Sequence, residues 1–208
     1  MNESMKHRLT AATLKAIDSR RGAHGLSLRG IAKDAGCSHV NVYNYAPRGL
    51  ADLLWLAYTV GIEEYAKACF ESVRNRGPGE NYGEALARGM LAFATEREGM
   101  YRLLWFDALE GEPEGEALAA IRRAQEGFLA ETNAQLEDAG LSGMADAFAP
   151  SLEIMFAYLQ GEVALFINGR SGSDRKSAAE AIVARSGRTW RILIEGARPN
   201  GEPGRSPV

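Results

Sequence analysis

Seven consecutive residues, Ser38-His39-Val40-Asn41-Val42-Tyr43-Asn44, carry two hydroxyls, one imidazole and two carboxamides. On a helix whose Val42 faces inward, Ser38, His39, Asn41, Tyr43 and Asn44 turn mostly toward solvent. A helix surface that needs only solubility more often carries Lys and Glu. Hydroxyl, imidazole and amide groups match the donors and acceptors of base edges in a DNA major groove and the phosphate oxygens beside it. The chemistry implied is recognition by hydrogen bonding rather than bond making.

Such a surface needs elements to hold it. Counted from Leu28, Ala32, Gly36 and Val42 occupy relative positions five, nine and fifteen, the spacing of a helix-turn-helix. Small Ala32 lets two helices cross closely, and Gly36 accepts the positive φ of the turn. Val42 packs back onto the first helix, as do Ile31 and Ala35. Ser27 can cap a helix over roughly 28–34, and Ser38 another over roughly 39–45. The outward N–H groups of a capped helix start suit phosphate. The same pattern also serves plain helix packing, so spacing alone leaves both readings open.

Charge separates them further. Residues 1–48 hold eight Lys/Arg (Lys6, Arg8, Lys15, Arg20, Arg21, Arg29, Lys33, Arg48) against three acids, a local charge of +5. The whole chain is −3, which leaves −8 for residues 49–208. All three histidines, His7, His24 and His39, lie in the basic segment. A cationic head on an acidic body points to a polyanionic partner for the head alone.

The rest of the chain reads as helical. Leu9, Ala12, Thr13, Ala16 and Ile17 form a one-sided stripe ending near Gly22. A long helix is expected over 50–75, then helices near 81–95, 98–109, 114–139, 147–169 and 175–196, separated by Gly/Pro breaks. No run alternates as a strand would, so the expected class is all-α. With 208 residues the chain can bury a substantial core. Its polar start, MNESMKHR, has no apolar signal core, and no eighteen-residue apolar stretch suggests a membrane span. Cys37 and Cys69 form no CxxC and read as small buried or half-buried residues in a reducing cytoplasm.

The run from Gly22 to Tyr45, followed by Leu53-Leu54, resembles the TetR family of bacterial transcriptional regulators, over about residues 8–60. The resemblance implies a three-helix DNA-binding head, a connecting fourth helix and a larger all-α body. It further implies a homodimer that binds a small effector, usually as a repressor. By that resemblance Ser27 and Arg29 contact phosphate at the start of the second helix. Ser38, His39, Val40, Asn41, Tyr43 and Asn44 would line the recognition helix, with Tyr43 near a phosphate. The family usually follows this helix with an aromatic and then a Ser/Asn-Lys pair. Here the chain reads Ala46-Pro47-Arg48-Gly49-Leu50-Ala51-Asp52, with one extra residue, and Arg48 is the candidate to replace the lysine phosphate contact. Residues 93–106 resemble the mid-body segment of a subgroup whose body carries a Trp-His-Gly motif. Tyr158-Leu159-Gln160-Gly161 stands in that place and departs from it at Tyr158 and Gln160.

The expected organisation is a helix-turn-helix DNA-binding domain at 1–49, a helical ligand-binding and dimerisation domain at 50–197 and a disordered tail at 198–208. Met90, Phe93, Tyr101, Leu104, Trp105, Phe128, Phe148 and Phe156 offer bulky walls for an apolar pocket. Tyr101, Tyr158, Asn133 and Gln160 could orient a ligand, although each of these residues also suits an ordinary core. Helix 147–169 has two apolar stripes, one with Leu152, Met155, Phe156, Leu159, Val163 and Phe166, the other with Ile154, Tyr158, Gly161 and Leu165. Leu152, Leu159, Val163 and Phe166, with Val183, Trp190 and Ile194 of the last helix, are the candidate dimer face. Which stripe meets a partner and which a pocket stays open, as does the alternative that both fill one core.

No GxSxG, Walker loop, GxGxxG in a strand-helix setting or HExxH occurs. The alternating acids Glu110, Glu112, Glu114 and Glu116 in a Gly/Pro loop read as solvated rather than as a cation site. No cofactor or metal is therefore expected. The expected function is a cytoplasmic, homodimeric, ligand-responsive repressor that binds a double-stranded operator and is released by a small apolar effector. An effector-independent DNA-binding or architectural protein is the alternative, and an all-α enzyme a distant third.

Overall fold

The computed structural model describes residues 3–172 and 174–198. Of the expected tail at 198–208, residues 199–208 lie outside the described residues. Among the described residues nine α-helices follow one another with no strand: α1 (Glu3–Arg20), α2 (Leu28–Asp34), α3 (His39–Val42), α4 (Leu50–Arg74), α5 (Tyr82–Glu96), α6 (Glu98–Trp105), α7 (Gly115–Asp138), α8 (Ala145–Ile167) and α9 (Arg175–Ala197). The all-α class and the order of helices agree with the sequence reading.

Two helices stop earlier than the periodicity suggests. α3 ends at Val42, and the chain turns through 43–45 with the amides of Tyr45 and Ala46 both donating to the Val42 carbonyl at 2.9 Å. Pro47 disfavours helical backbone at the residue before it, so the segment cannot extend. α6 ends at Trp105 rather than near residue 109. Beyond it the Asp107 carboxylate accepts the Ala23 N–H at 2.6 Å, which draws the chain off the helix axis.

The described residues divide into two compact units. The first comprises those up to Ala68 together with Ala92–Gly127; the second comprises Cys69–Leu91 and those from Phe128 onward. α4, α5 and α7 each contribute residues to both.

In the first unit, Leu9, Ala12, Ile31, Ala32, Ala35, Val42, Ala46 and Leu53 form one buried cluster. The stripe of α1 and the small residues of α2 thus meet as their spacing requires. α1 also packs on α6, where Gly99 lies against the Ile17 carbonyl. Arg97 bridges two helices there, donating to Asp18 on α1 at 3.1 Å and to Glu64 on α4 at 2.6 Å. Behind them Tyr65 makes edge contacts with Phe93 and Trp105, ring centroids 5.5 and 5.4 Å apart.

In the second unit, α8 packs along α9. Trp190 sits between Tyr82 and Phe148, with ring centroids 4.7 and 5.5 Å away. Gly83 allows this, since a Cβ there would fall 2.5 Å from the Ser186 carbonyl oxygen. Phe128 joins Phe70 to Phe156 in a second aromatic row.

Candidate nucleic-acid interface

The helix-turn-helix is built from two serine caps and one glycine turn. Ser27 is extended (φ −133°, ψ 140°) and its Oγ accepts the Gly30 N–H at 3.2 Å. Ser38 repeats the device (φ −75°, ψ 148°), its Oγ accepting the Asn41 N–H at 3.3 Å. Each hydroxyl, used as an acceptor, keeps its proton to donate. Between the two helices Gly36 takes φ +70°, in the left-handed region where a side chain is strained. The amides of Gly36 and Cys37 close the end of α2 on the Lys33 and Ala32 carbonyls.

Burial fixes which way the run faces. Val42 and Ala46 are fully buried in the head core. The helical turn then directs Ser38, His39, Asn41 and Asn44 outward, and all four are exposed. Val40 is 63% exposed and Tyr43 50%, high for apolar and aromatic side chains. Tyr43 extends along Gly49, where an added Cβ would meet its ring at 3.3 Å. Ser27 and Arg29 are exposed at the start of α2.

A concavity of about 600 Å³ opens beside the run, lined by Arg29, Lys33, Gly36, Cys37, Ser38 and His39. It brings two fixed cations and an imidazole next to the start of α3. Lys33 and Cys37 were not among the sequence candidates. The signal for Lys33 was legible, since it stands four residues after Arg29 and so shares its helix face. Arg48 is placed differently from a free cation. Its Nε donates to Asp52 at 2.6 Å, and its backbone N–H donates to the same carboxylate at 2.8 Å. That hydrogen bond is the main reason its guanidinium titrates above the usual arginine value.

No family model and no curated protein matches the sequence. Solved structures do match. One is a protein of unknown function from Rhodococcus sp. RHA1, at 22% identity and a TM-score of 0.71, covering 91% of this chain and 95% of that one. Another is a TetR family transcription regulator from Marinobacter aquaeolei VT8, at 16% identity and a TM-score of 0.60, covering 90% of this chain and 96% of that one. The chain has a TetR-like fold.

Within the body of this TetR-like fold the expected ligand residues fall into two groups. Phe93, Tyr101 and Leu104 are buried in the first unit, where Trp105 is half-buried. Met90 and Phe128 are buried in the second, with Phe156 and Tyr158 half-buried. Tyr158 donates its phenol to Glu162 at 3.0 Å, and Arg185 holds the same carboxylate at 2.7 Å. Among the described residues no cluster of three or more His, Cys, Asp or Glu could hold a metal ion, and no helix is long and apolar enough to cross a membrane.

The candidate dimer residues turn inward. Leu159, Val163, Phe166, Trp190 and Ile194 are buried within the single chain, and Leu152 and Val183 are half-buried. The stripe left outside on α8 is the other one: Ile154 is 59% exposed, Leu165 46%, and Gly161 between them faces open space. On α9 Ile192 is 66% exposed. Periodicity identified both stripes. Their assignment depended on Trp190 stacking with Tyr82 and Phe148, a long-range contact that no local pattern reports.

Proposed function

We propose that this protein is a DNA-binding transcriptional regulator. Its head inserts α3 into the major groove of duplex DNA, while Ser27, Arg29 and Lys33 hold the flanking phosphates. One observation carries the reading. The amide and hydroxyl groups of the run are exposed on a capped helix whose opposite side is locked into a core, and the adjoining concavity is cationic. A helix whose role was packing would bury this side. The TetR-like fold supports the same reading.

The regulator acts as a homodimer. Two heads must stand about 34–36 Å apart to occupy successive half-sites. The exposed apolar stripe of α8, with Ile192 of α9, supplies the surface for twofold pairing. A small, largely apolar effector held in the body binds better to another head spacing and so weakens DNA binding. By reciprocity DNA weakens effector binding equally. Repression lifted by that effector is the regulatory outcome.

The test is selection of bound sequences from a random duplex pool, followed by affinity measurements across salt concentration. Asn41→Ala should lose discrimination between selected and random DNA. Arg29→Ala should weaken both and flatten the salt slope by roughly one unit. A pool that yields no enriched sequence, with binding that Arg29→Ala leaves unchanged, would overturn the reading. If apolar compounds bind the body but leave operator affinity unchanged, the effector-independent alternative replaces the switch.

A further inference from the structure

Arg48 follows the recognition run by four residues, and Tyr43 lies along the glycine next to it. It stands next to the turn that closes the recognition run. Yet its guanidinium is already engaged. Asp52 takes its Nε at 2.6 Å, and the loop at residues 106–114 approaches it at Gly111. Gly111 of that loop (φ +75°) sits so close that an added Cβ would lie 3.0 Å from Arg48 Nη1.

The loop is held in this position at two points. Trp55 Nε1 donates to the Glu110 carbonyl at 3.0 Å, and the Asp107 carboxylate accepts the Ala23 N–H at 2.6 Å. Glu110, Glu112 and Glu114, which flank Gly111, are all exposed. An arginine beside a line of phosphates would ordinarily supply a charge-assisted contact. Here a carboxylate and an acidic loop stand beside the guanidinium instead.

We propose that the 106–114 loop and Asp52 form an intramolecular latch on Arg48, which duplex DNA must displace before that arginine can bind phosphate. The latch rests on the DNA-binding reading and adds to it an internal brake on affinity. Neutralising Asp52 and the loop acids together frees Arg48, adds one phosphate contact and steepens the salt slope. The effect runs through one side chain, which separates it from general repulsion between an acidic surface and DNA.

The experiment compares wild type, the triple variant Asp52→Asn/Glu112→Gln/Glu114→Gln, Arg48→Ala and the combination of all four substitutions. Each full-length protein is titrated with a random-sequence 30-base-pair duplex from 50 to 200 mM salt. Glu112 and Glu114 are exposed, and circular dichroism verifies that the variants fold. The triple variant should bind more tightly at 50 mM salt, with a log–log slope steeper by about 0.9 for one added phosphate contact. In the Arg48→Ala background both changes should vanish, because the cycle isolates the coupling. A triple variant identical to wild type, or a gain that survives Arg48→Ala, would overturn the latch. If wild type binds and Arg29→Ala weakens it while the triple variant changes nothing, the latch alone falls. If wild type and Arg29→Ala behave alike, the DNA-binding reading falls with it.

Discussion

Gly99 in α6 packs on the backbone of Ile17 in α1, so closely that a methyl group would collide with the Ile17 carbonyl oxygen and approach the Asp18 Cα to 2.9 Å. Helix propensity alone would favour alanine by about 1 kcal/mol. Overpacking of backbone against backbone costs about 1–3 kcal/mol and should win. Gly99→Ala should therefore lower the melting temperature, by roughly 2–4 °C per kcal/mol lost for a chain of this size. Gly196→Ala, in the last turn of α9 with open space around it, should leave the melting temperature equal or higher. A Gly99→Ala protein as stable as wild type would mean that α1 and α6 do not meet as described.

Cys37 lines the concavity with Arg29, Lys33 and His39 and is half-buried, whereas Cys69 is fully buried. Iodoacetamide should modify a single thiol in the folded protein, located by peptide mass mapping at Cys37. The adduct should block DNA binding. Duplex DNA at a hundred times its Kd leaves about 1% of the protein free, so modification should slow roughly a hundredfold. Labelling that DNA does not slow would place the interface elsewhere.

The outward stripe of α8 makes the oligomeric state testable. Ile154→Asp with Leu165→Asp puts charges where partner side chains would pack. A penalty of about 3 kcal/mol weakens dimerisation roughly a hundredfold. Sedimentation should show a folded monomer at concentrations where wild type is dimeric. Leu159→Asp, inside the chain, should unfold the protein instead. A wild-type monomer at high concentration would sink the twofold arrangement.

Glu162 provides a pH handle. Its hydrogen bond from Arg185 is the chief cause of a carboxyl pKa below the ordinary value, assisted by Tyr158. The folded pKa is thus lower than the unfolded one. Its contribution is present above the unfolded value of about 4.3 and is lost as pH falls through the folded value. The pair is partly solvated, so the effect is modest. Urea midpoints at pH 7 and pH 3 should differ less for Glu162→Gln than for wild type. Equal differences would show that the pair contributes nothing to acid sensitivity.

Much of this architecture was legible from local signals. Ser27, Gly36 and Ser38 each act through their immediate neighbours, so caps and turn could be located from residue type and spacing. Val42 faces inward because it joins Ile31 and Ala35 of the preceding helix and its end in one buried cluster. What escaped was non-local. Asp52, four residues after Arg48, was within reach of a local reading, whereas the approach of Gly111 to the same guanidinium is invisible until the chain folds. The same holds for the faces of α8, where two comparable stripes compete and long-range contacts, Phe156 on Phe128 and Phe148 on Trp190, decide between them.

α3 is a single helical turn of four residues. In water so short a segment has no stability of its own. Its shape is lent by Val42 and Ala46 through the small core beneath. Local loosening of that core would erase the pattern offered to base edges, yet leave the lysines and arginines in place. On the DNA-binding reading, a warmed or weakened head would then cling to any duplex it met, losing discernment before it lost grip.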